Sequence, residues 1–253
     1  MLLIALLPGW LVGQQVVVMP HRGIDSLTVN RQNCYTILDP GGYSNYTNNE
    51  DSWLYIRSTS GNFKLRMNYQ TSANGDCNDY FDMYYSADSN NSYYRYCGVG
   101  ENTWSVGEEG TLIHFHSNAY ASFQGFEIRV LYPNTIYNWG SQTVDDSTVT
   151  LTWEDSQADA TEWTITYFCD EDSLHTVTSN TRSVTITGLR NNTYYGYYIQ
   201  SNATACMEVL RKYFIAGHPD NMLYTEPSGS NFNLTSGTCY TINSTSGPGQ
   251  NNL

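Results

Sequence analysis

Between residues 63 and 126, apolar and polar residues alternate with a period of two in one short run after another. The runs read F-K-L-R-M-N-Y from Phe63, Y-F-D-M-Y from Tyr80, L-I-H-F-H from Leu112 and G-F-E-I-R-V from Gly125. A period of two puts one face of a β-strand in a core and the other in water, whereas a helix needs apolar residues every three or four positions. This stretch therefore has to fold as a sheet protein. Cys77 and Cys97 flank two Tyr-rich runs that are joined by Asp, Ser and Asn over residues 86–92. The arrangement reads as a hairpin, with a disulfide between Cys77 and Cys97 closing its base.

The rest of the composition agrees. The chain holds 22 Tyr and is rich in Asn, Ser and Thr, residues of strands and turns. At 253 residues it is long enough for one or two domains with cores of their own. Lys and Arg total 11 against 24 Asp and Glu, a net charge of -13. A polyanion repels phosphate backbones and anionic lipid, so neither nucleic acid nor a membrane surface is an expected partner; membrane insertion is not expected because no apolar run is long enough to cross.

The first 12 residues, MLLIALLPGWLV, form the one long apolar run. It is too short to span a bilayer and has the character of a secretory leader, without the usual basic start, ending near Gly13. Residues 1–13 are therefore expected to be a signal peptide and the mature protein to be secreted or held at the cell surface. In an oxidising compartment the six cysteines become candidates for disulfides.

Taken in order, strands are expected at residues 24–29, 34–37, 53–57, 63–69, 111–116 and 126–131. Asp39-Pro40-Gly41-Gly42 marks a strong turn, and a Gly- and Glu-containing loop is expected after Cys97-Gly98. Over residues 24–132 this region resembles a CUB domain. The resemblance rests on Cys77-Asn78-Asp79-Tyr80-Phe81-Asp82, Cys97-Gly98, Phe115-His116-Ser117-Asn118 and Gly125-Phe126, in the family's order. Two positions depart from it: Asp51 stands where the family has its second Cys, and Asn118 where it has an Asp.

A second pattern begins after Tyr132-Pro133, with alternating runs at residues 149–153, 163–167 and 183–187 and turn residues between them. Residues 134–217 resemble a fibronectin type III domain through Leu151-Thr152-Trp153, Thr185-Ile186-Thr187-Gly188-Leu189, and the spacing of Leu189, Thr193 and Tyr195. The resemblance implies that Trp153 lies between two sheets and that Tyr195 forms a tyrosine corner. Cys169 and Cys206 are extra to that family. They lie in or next to strands expected to be neighbours, so they are expected to bridge each other.

Near the C-terminus, Phe232-Asn233-Leu234 followed by Cys239-Tyr240-Thr241-Ile242 repeats Leu27-Thr28-Val29 followed by Cys34-Tyr35-Thr36-Ile37. Residues 228–253 read as the start of a second, truncated CUB-like repeat. With Asp51 in its family partner's place and no sequence after the repeat, neither Cys34 nor Cys239 is expected to have an intradomain partner. The expected fold class is all-β: two consecutive antiparallel sandwiches, the first of CUB-like jelly-roll type, the second fibronectin type III or Ig-like, then a partial β repeat.

No Gly-x-Ser-x-Gly, His-Glu-x-x-His or phosphate-binding glycine loop occurs, so no catalysis is expected. His114 and His116 point to one face of a strand but lack a marked third ligand, and read as surface histidines. The CUB resemblance implies a calcium site at one end of the sandwich. Asp79 matches one ligand, Asn118 offers a neutral oxygen for another, and Asp76 substitutes for a missing glutamate. No other cofactor is expected. Asn118, Tyr120 and Phe123 in the adjoining loop form the expected contact patch, since flat aromatic rings with polar neighbours suit protein or sugar surfaces. The expected function is a non-catalytic binding or adhesion module for extracellular protein or carbohydrate, in the style of Bacteroidetes-like bacterial secreted proteins. The alternative is an accessory region of a larger secreted hydrolase, a protease or glycosidase; a spacer without ligand is a third reading.

Overall fold

The computed structural model describes residues 14–71, 77–85, 93–108, 110–169 and 173–217. The expectations for residues 1–13 and 228–253, Asp76 and Cys239 lie outside these residues. The described residues are all-β, with no helix among them, and fall into two compact units. Of these residues, the first unit holds those up to Pro133 together with Thr204–Glu208; the second holds Asn134–Ala203 and those from Val209 to Gly217.

In the first unit the strands are β1 (Gln14–Val18), β2 (Arg22–Val29), β3 (Cys34–Leu38), β4 (Asp51–Ser58), β5 (Phe63–Gln70), β6 (Tyr80–Tyr84), β7 (Tyr93–Tyr96), β8 (Val99–Gly107), β9 (Thr111–His116) and β10 (Gly125–Leu131). They make two five-stranded sheets, ordered β1-β3-β10-β5-β8 and β2-β4-β9-β6-β7. Alternation does the work. On β4, Leu54 and Ile56 are buried while Asp51 and Arg57 are exposed; on β5, Phe63, Leu65 and Met67 are buried. These side chains meet Ile37, Phe81, Ile113, Phe115 and Ile128 from both sheets in one core, so the unit is a sandwich.

Most neighbours are antiparallel, but β1 joins β3 and β2 joins β4 in parallel. Each of those pairs is separated in sequence by a strand of the opposite sheet, so the connection is a crossover, which a parallel pair requires. The segment after Cys97-Gly98, expected as a loop, is strand β8, antiparallel to β5 from Phe63↔Gly107 to Gln70↔Val99. As an edge strand it leaves Val99, Trp104 and Val106 exposed, which erases the usual alternation signal. β6 and β7 form a hairpin with Phe81 opposite Tyr96, and Cys77 and Cys97 are bonded at its base.

The remaining disulfide expectations need correction. Cys34 does have a partner within its own unit: it is bonded to Cys206, with Cα atoms 5.2 Å apart, so Cys206 does not pair with Cys169. Cys169 is disulfide-bonded as well. The physical reason is the placement of Thr204–Glu208 in the first unit. Ala205 N–H donates to the Arg31 carbonyl at 2.7 Å, Tyr132 N–H to the Cys206 carbonyl at 2.8 Å, and Glu208 N–H to the Tyr132 carbonyl at 2.7 Å. Lys64 Nζ pairs with Glu208 Oε2 at 2.7 Å, and Met207 is buried. This segment is held like a short strand beside Tyr132, which brings Cys206 to Cys34.

The second unit has β11 (Ile136–Asp145), β12 (Thr148–Asp155), β13 (Trp163–Phe168), β14 (His175–Ser179), β15 (Ser183–Ile186), β16 (Thr193–Ser201) and β17 (Lys212–Ala216). A three-stranded sheet, β11-β12-β15, accompanies a four-stranded one, β14-β13-β16-β17. Trp153 from the first sheet and Trp163 from the second are both buried and meet edge to face, centroids 6.1 Å apart. Trp163 Nε1 donates to the buried Asp155 carboxylate at 2.9 Å.

Tyr195 is buried and its hydroxyl accepts the Arg190 N–H, five residues upstream, at 3.0 Å. This is the geometry of a tyrosine corner. Tyr195→Phe leaves that N–H without its acceptor and is expected to destabilise the second unit by about 1–3 kcal/mol. Urea unfolding followed by the tryptophans of this unit, Trp139, Trp153 and Trp163, reads the effect; an unshifted midpoint would remove the corner as a stabilising contact.

Candidate functional site

The loops joining β3 to β4 and β9 to β10, with the start of β6, gather three buried carboxylates in the first unit: Asp39, Glu50 and Asp79. Each is held by the chain around it. Asp79 Oδ2 lies 2.7 Å from the Tyr46 hydroxyl, and its Oδ1 accepts the Asn118 N–H at 2.7 Å. Glu50 Oε1 takes His21 Nδ1 at 2.8 Å and the Thr47 hydroxyl, while the Glu50 N–H donates to Ser117 Oγ at 2.9 Å. Asp39 Oδ1 accepts the Gly41 N–H and Oδ2 the Phe126 N–H, both at 2.8 Å.

Burial dominates the titration of Asp39. It pushes the Asp39 carboxyl up from 3.8 to about 6, past the lowering effect of the Phe126, Gly41 and Asp39 N–H groups, with the nearby Glu50 charge adding to the rise. Burial, then the Asp79 carboxylate, pushes the Tyr46 phenol up as well, so its hydroxyl stays a donor.

A pH dependence follows for Asp39. The fold holds this proton more tightly than the unfolded chain does. The resulting stabilisation is complete below about pH 3.8 and is lost as pH rises through about 6. A shift of about two units corresponds to about 3 kcal/mol. Unfolding free energies of the wild type and Asp39→Asn, measured from pH 4 to 7, are expected to diverge, with the wild type losing more as pH rises. Parallel profiles would show that Asp39 does not titrate in this window.

Of the residues expected to hold calcium, Asp79 and Asn118 come together, but through the hydrogen bond just described. Asn118 Oδ1 accepts the Tyr120 N–H at 2.7 Å. A cation there would have to displace the Tyr46 hydroxyl and two backbone N–H groups. Among the described residues, no group of three or more His, Cys, Asp or Glu is arranged to hold a metal ion. The expected contact patch divides: Tyr120 is 91% exposed, whereas Phe123 packs against the core with its ring 6.5 Å from that of Tyr46.

The outer face of the β2-β4-β9-β6-β7 sheet carries a feature that the sequence reading missed. Trp53 sits opposite His114 in register, and their rings stack with centroids 3.8 Å apart. His114 Nε2 lies 2.8 Å from Asp51 Oδ1. Across β6, Arg95 forms a two-pronged pair with the buried Asp82, at 2.8 Å on each prong, and lies over the Tyr80 ring at 3.6 Å. The His116 ring lies 5.2 Å from that of Tyr80 and 6.4 Å from that of His114, so both histidines, expected at the surface, are members of a ring ladder. The signal was present in the period-two spacing of His114 with His116, but it becomes a ladder only once β9 is paired with β4 and β6.

No curated protein matches this chain. Residues 138–206 match the fibronectin type III domain family. Among solved structures, the chain is similar to the chicken CNTN1 FN1-FN3 domains at 12% identity, over 56% of this chain and 57% of that one, with a TM-score of 0.30. It is similar to the rat CD45 extracellular region, domains d3-d4, at 13% identity, over 40% of this chain and 53% of that one, with a TM-score of 0.29. A structure described as a myokine matches at 16% identity, over 34% of this chain and 99% of its own length, with a TM-score of 0.29.

Proposed function

We propose that this chain is a non-catalytic binding or adhesion protein of the extracellular space, recognising protein or carbohydrate. The observation that carries the reading is the fibronectin type III domain at residues 138–206, a module that typically serves interaction rather than chemistry. Disulfides support the same compartment, since such bonds persist where the surroundings are oxidising. The two-sheet sandwich of the first unit, with Cys77–Cys97 closing a hairpin and Gly125-Phe126 opening β10, supports a CUB-like module ahead of the fibronectin type III one. A fold hosts many functions, so the ligand has to be found by experiment. Probing extracellular-protein and glycan arrays with the full oxidised chain is expected to give saturable binding to a member of one of these classes. A chain that binds neither, while retaining its disulfides and a cooperative melt, would be a spacer and would overturn the reading.

A further inference from the structure

One face of the first unit is hollowed where β10, β5 and β8 run beside the loop after β3. The cleft has a volume of about 280 Å³ and is lined by Tyr43, Tyr69, Gln70, Glu101, Gln124 and Glu127, among others. Its walls are fixed from below. The buried Asp39 carboxylate holds the Gly41 N–H with one oxygen and the Phe126 N–H with the other. The first bond anchors the turn that carries Tyr43; the second anchors the segment that carries Gln124. Gly100 makes room for the Tyr69 ring, which occupies the space a side chain at position 100 would take. This keeps the Tyr69 hydroxyl end at the cleft while its ring packs edge-on against Phe81 and Tyr96.

The lining specifies a ligand chemistry. Among the described residues no Lys or Arg lines the cleft, and Arg129 is engaged by Glu127 at 2.7 Å, so phosphate, sulfate and carboxylate groups find no counter-charge. Gln70 and Gln124 each offer a carbonyl acceptor and an amide donor, and Glu101 offers acceptors only. Among the described residues no hydrogen bond occupies these three side chains. Vicinal hydroxyls, each both donor and acceptor, match that set. Tyr43 is 73% exposed and presents a flat ring at the rim, the surface on which the C–H face of a pyranose packs. The volume is slightly below the usual range for drug-sized ligands, roughly 300–1,000 Å³, which suits one or two sugar rings.

We propose that this cleft is a subsite for a neutral sugar residue, with Tyr43 as its stacking platform and Gln70, Gln124 and Glu101 as its hydroxyl partners. The proposal deepens the binding-module reading and rests on it. The test titrates the full oxidised chain with cello-, manno- and galacto-oligosaccharides, and with a lysine-rich peptide as the cationic alternative. Wild type and the exposed-site variants Tyr43→Ala, Gln124→Ala and Tyr120→Ala are compared, each with its melting midpoint recorded. The expected result is binding of at least one neutral oligosaccharide. Kd is expected to rise tenfold or more in Tyr43→Ala and Gln124→Ala, while Tyr120→Ala binds as wild type and all midpoints hold. Oligosaccharide binding lost only in Tyr120→Ala would overturn the cleft and keep the binding-module reading. Binding of the peptide alone, or of array proteins alone, would have the same consequence. No binding to any oligosaccharide, peptide or array protein would overturn both.

Discussion

Replacing Cys34 and Cys206 together with alanine is expected to lower the unfolding free energy of the first unit by up to about 5 kcal/mol. The bond spans a sequence separation of 172 residues. In the chain-entropy model the stabilisation grows with the logarithm of the loop, from about 3 kcal/mol for a loop near 15 residues to about 4.7 for one near 100. The Cys77–Cys97 bond, with a separation of 20, sits near the lower of those values. The two double replacements therefore form a ranked pair, and equilibrium urea unfolding of the oxidised chain, followed by far-ultraviolet dichroism, can order them. Loss of the long-range bond also releases Thr204–Glu208 to rely on its backbone bonds to Arg31 and Tyr132 and on the Lys64–Glu208 pair. A smaller loss for Cys34–Cys206 than for Cys77–Cys97 would mean that the segment is already fixed by those contacts in the unfolded reference, and the loop argument would fail.

Gly125→Ala is the second large effect, with an expected cost of about 4 kcal/mol. Gly125 has a φ of +78°, a conformation that costs an L-residue about 1–2 kcal/mol. An added Cβ would also run into the Asp39 carboxylate. That carboxylate cannot retreat without releasing the Gly41 or Phe126 N–H, each a charge-assisted bond worth about 1.5–3 kcal/mol. Gly23→Ala is the control: its φ is also positive, at +84°, but a Cβ there meets nothing within 4 Å. The difference between the two melting midpoints isolates the collision with Asp39 from the backbone strain. Equal shifts would show that Asp39 gives way freely and does not tie β3 to β10.

Much of this architecture could be read from residues alone. Strands β4, β5, β9, β10, β12 and β13 announced themselves because each has a buried and a wetter face, and period-two patterning records that difference directly. Tyr195 and its spacing from Leu189 were also legible, because a corner is a local motif. Edge strand β8 was not: Val-Gly-Glu-Asn-Thr-Trp-Ser-Val-Gly mixes turn formers with apolar residues that stay exposed, so its composition matches a loop. The partner of Cys34 was not legible either. Pairing depends on where a segment docks, and residues 204–208 lie between two strands of the second unit in sequence while belonging to the first in space. The cleft was hidden for a similar reason. Tyr43, Gln70, Glu101 and Gln124 come from separate stretches, and only sheet order β3-β10-β5-β8 makes them neighbours.

Thr204–Glu208 has a bearing on how such a chain can change over generations. Modular proteins are commonly imagined as beads that a gene rearrangement can cut and re-order at their borders. Here the fibronectin type III match ends at residue 206, inside the segment that completes the first unit. A rearrangement that excised the second module at its own borders would carry Cys206 away with it. The first module would inherit a bare thiol at Cys34 and lose Ala205 and Cys206, the backbone partners of the Arg31 carbonyl and the Tyr132 N–H. The two modules are therefore transmissible as a pair, and relatives that keep Cys34 should keep a cysteine between the strands equivalent to β16 and β17.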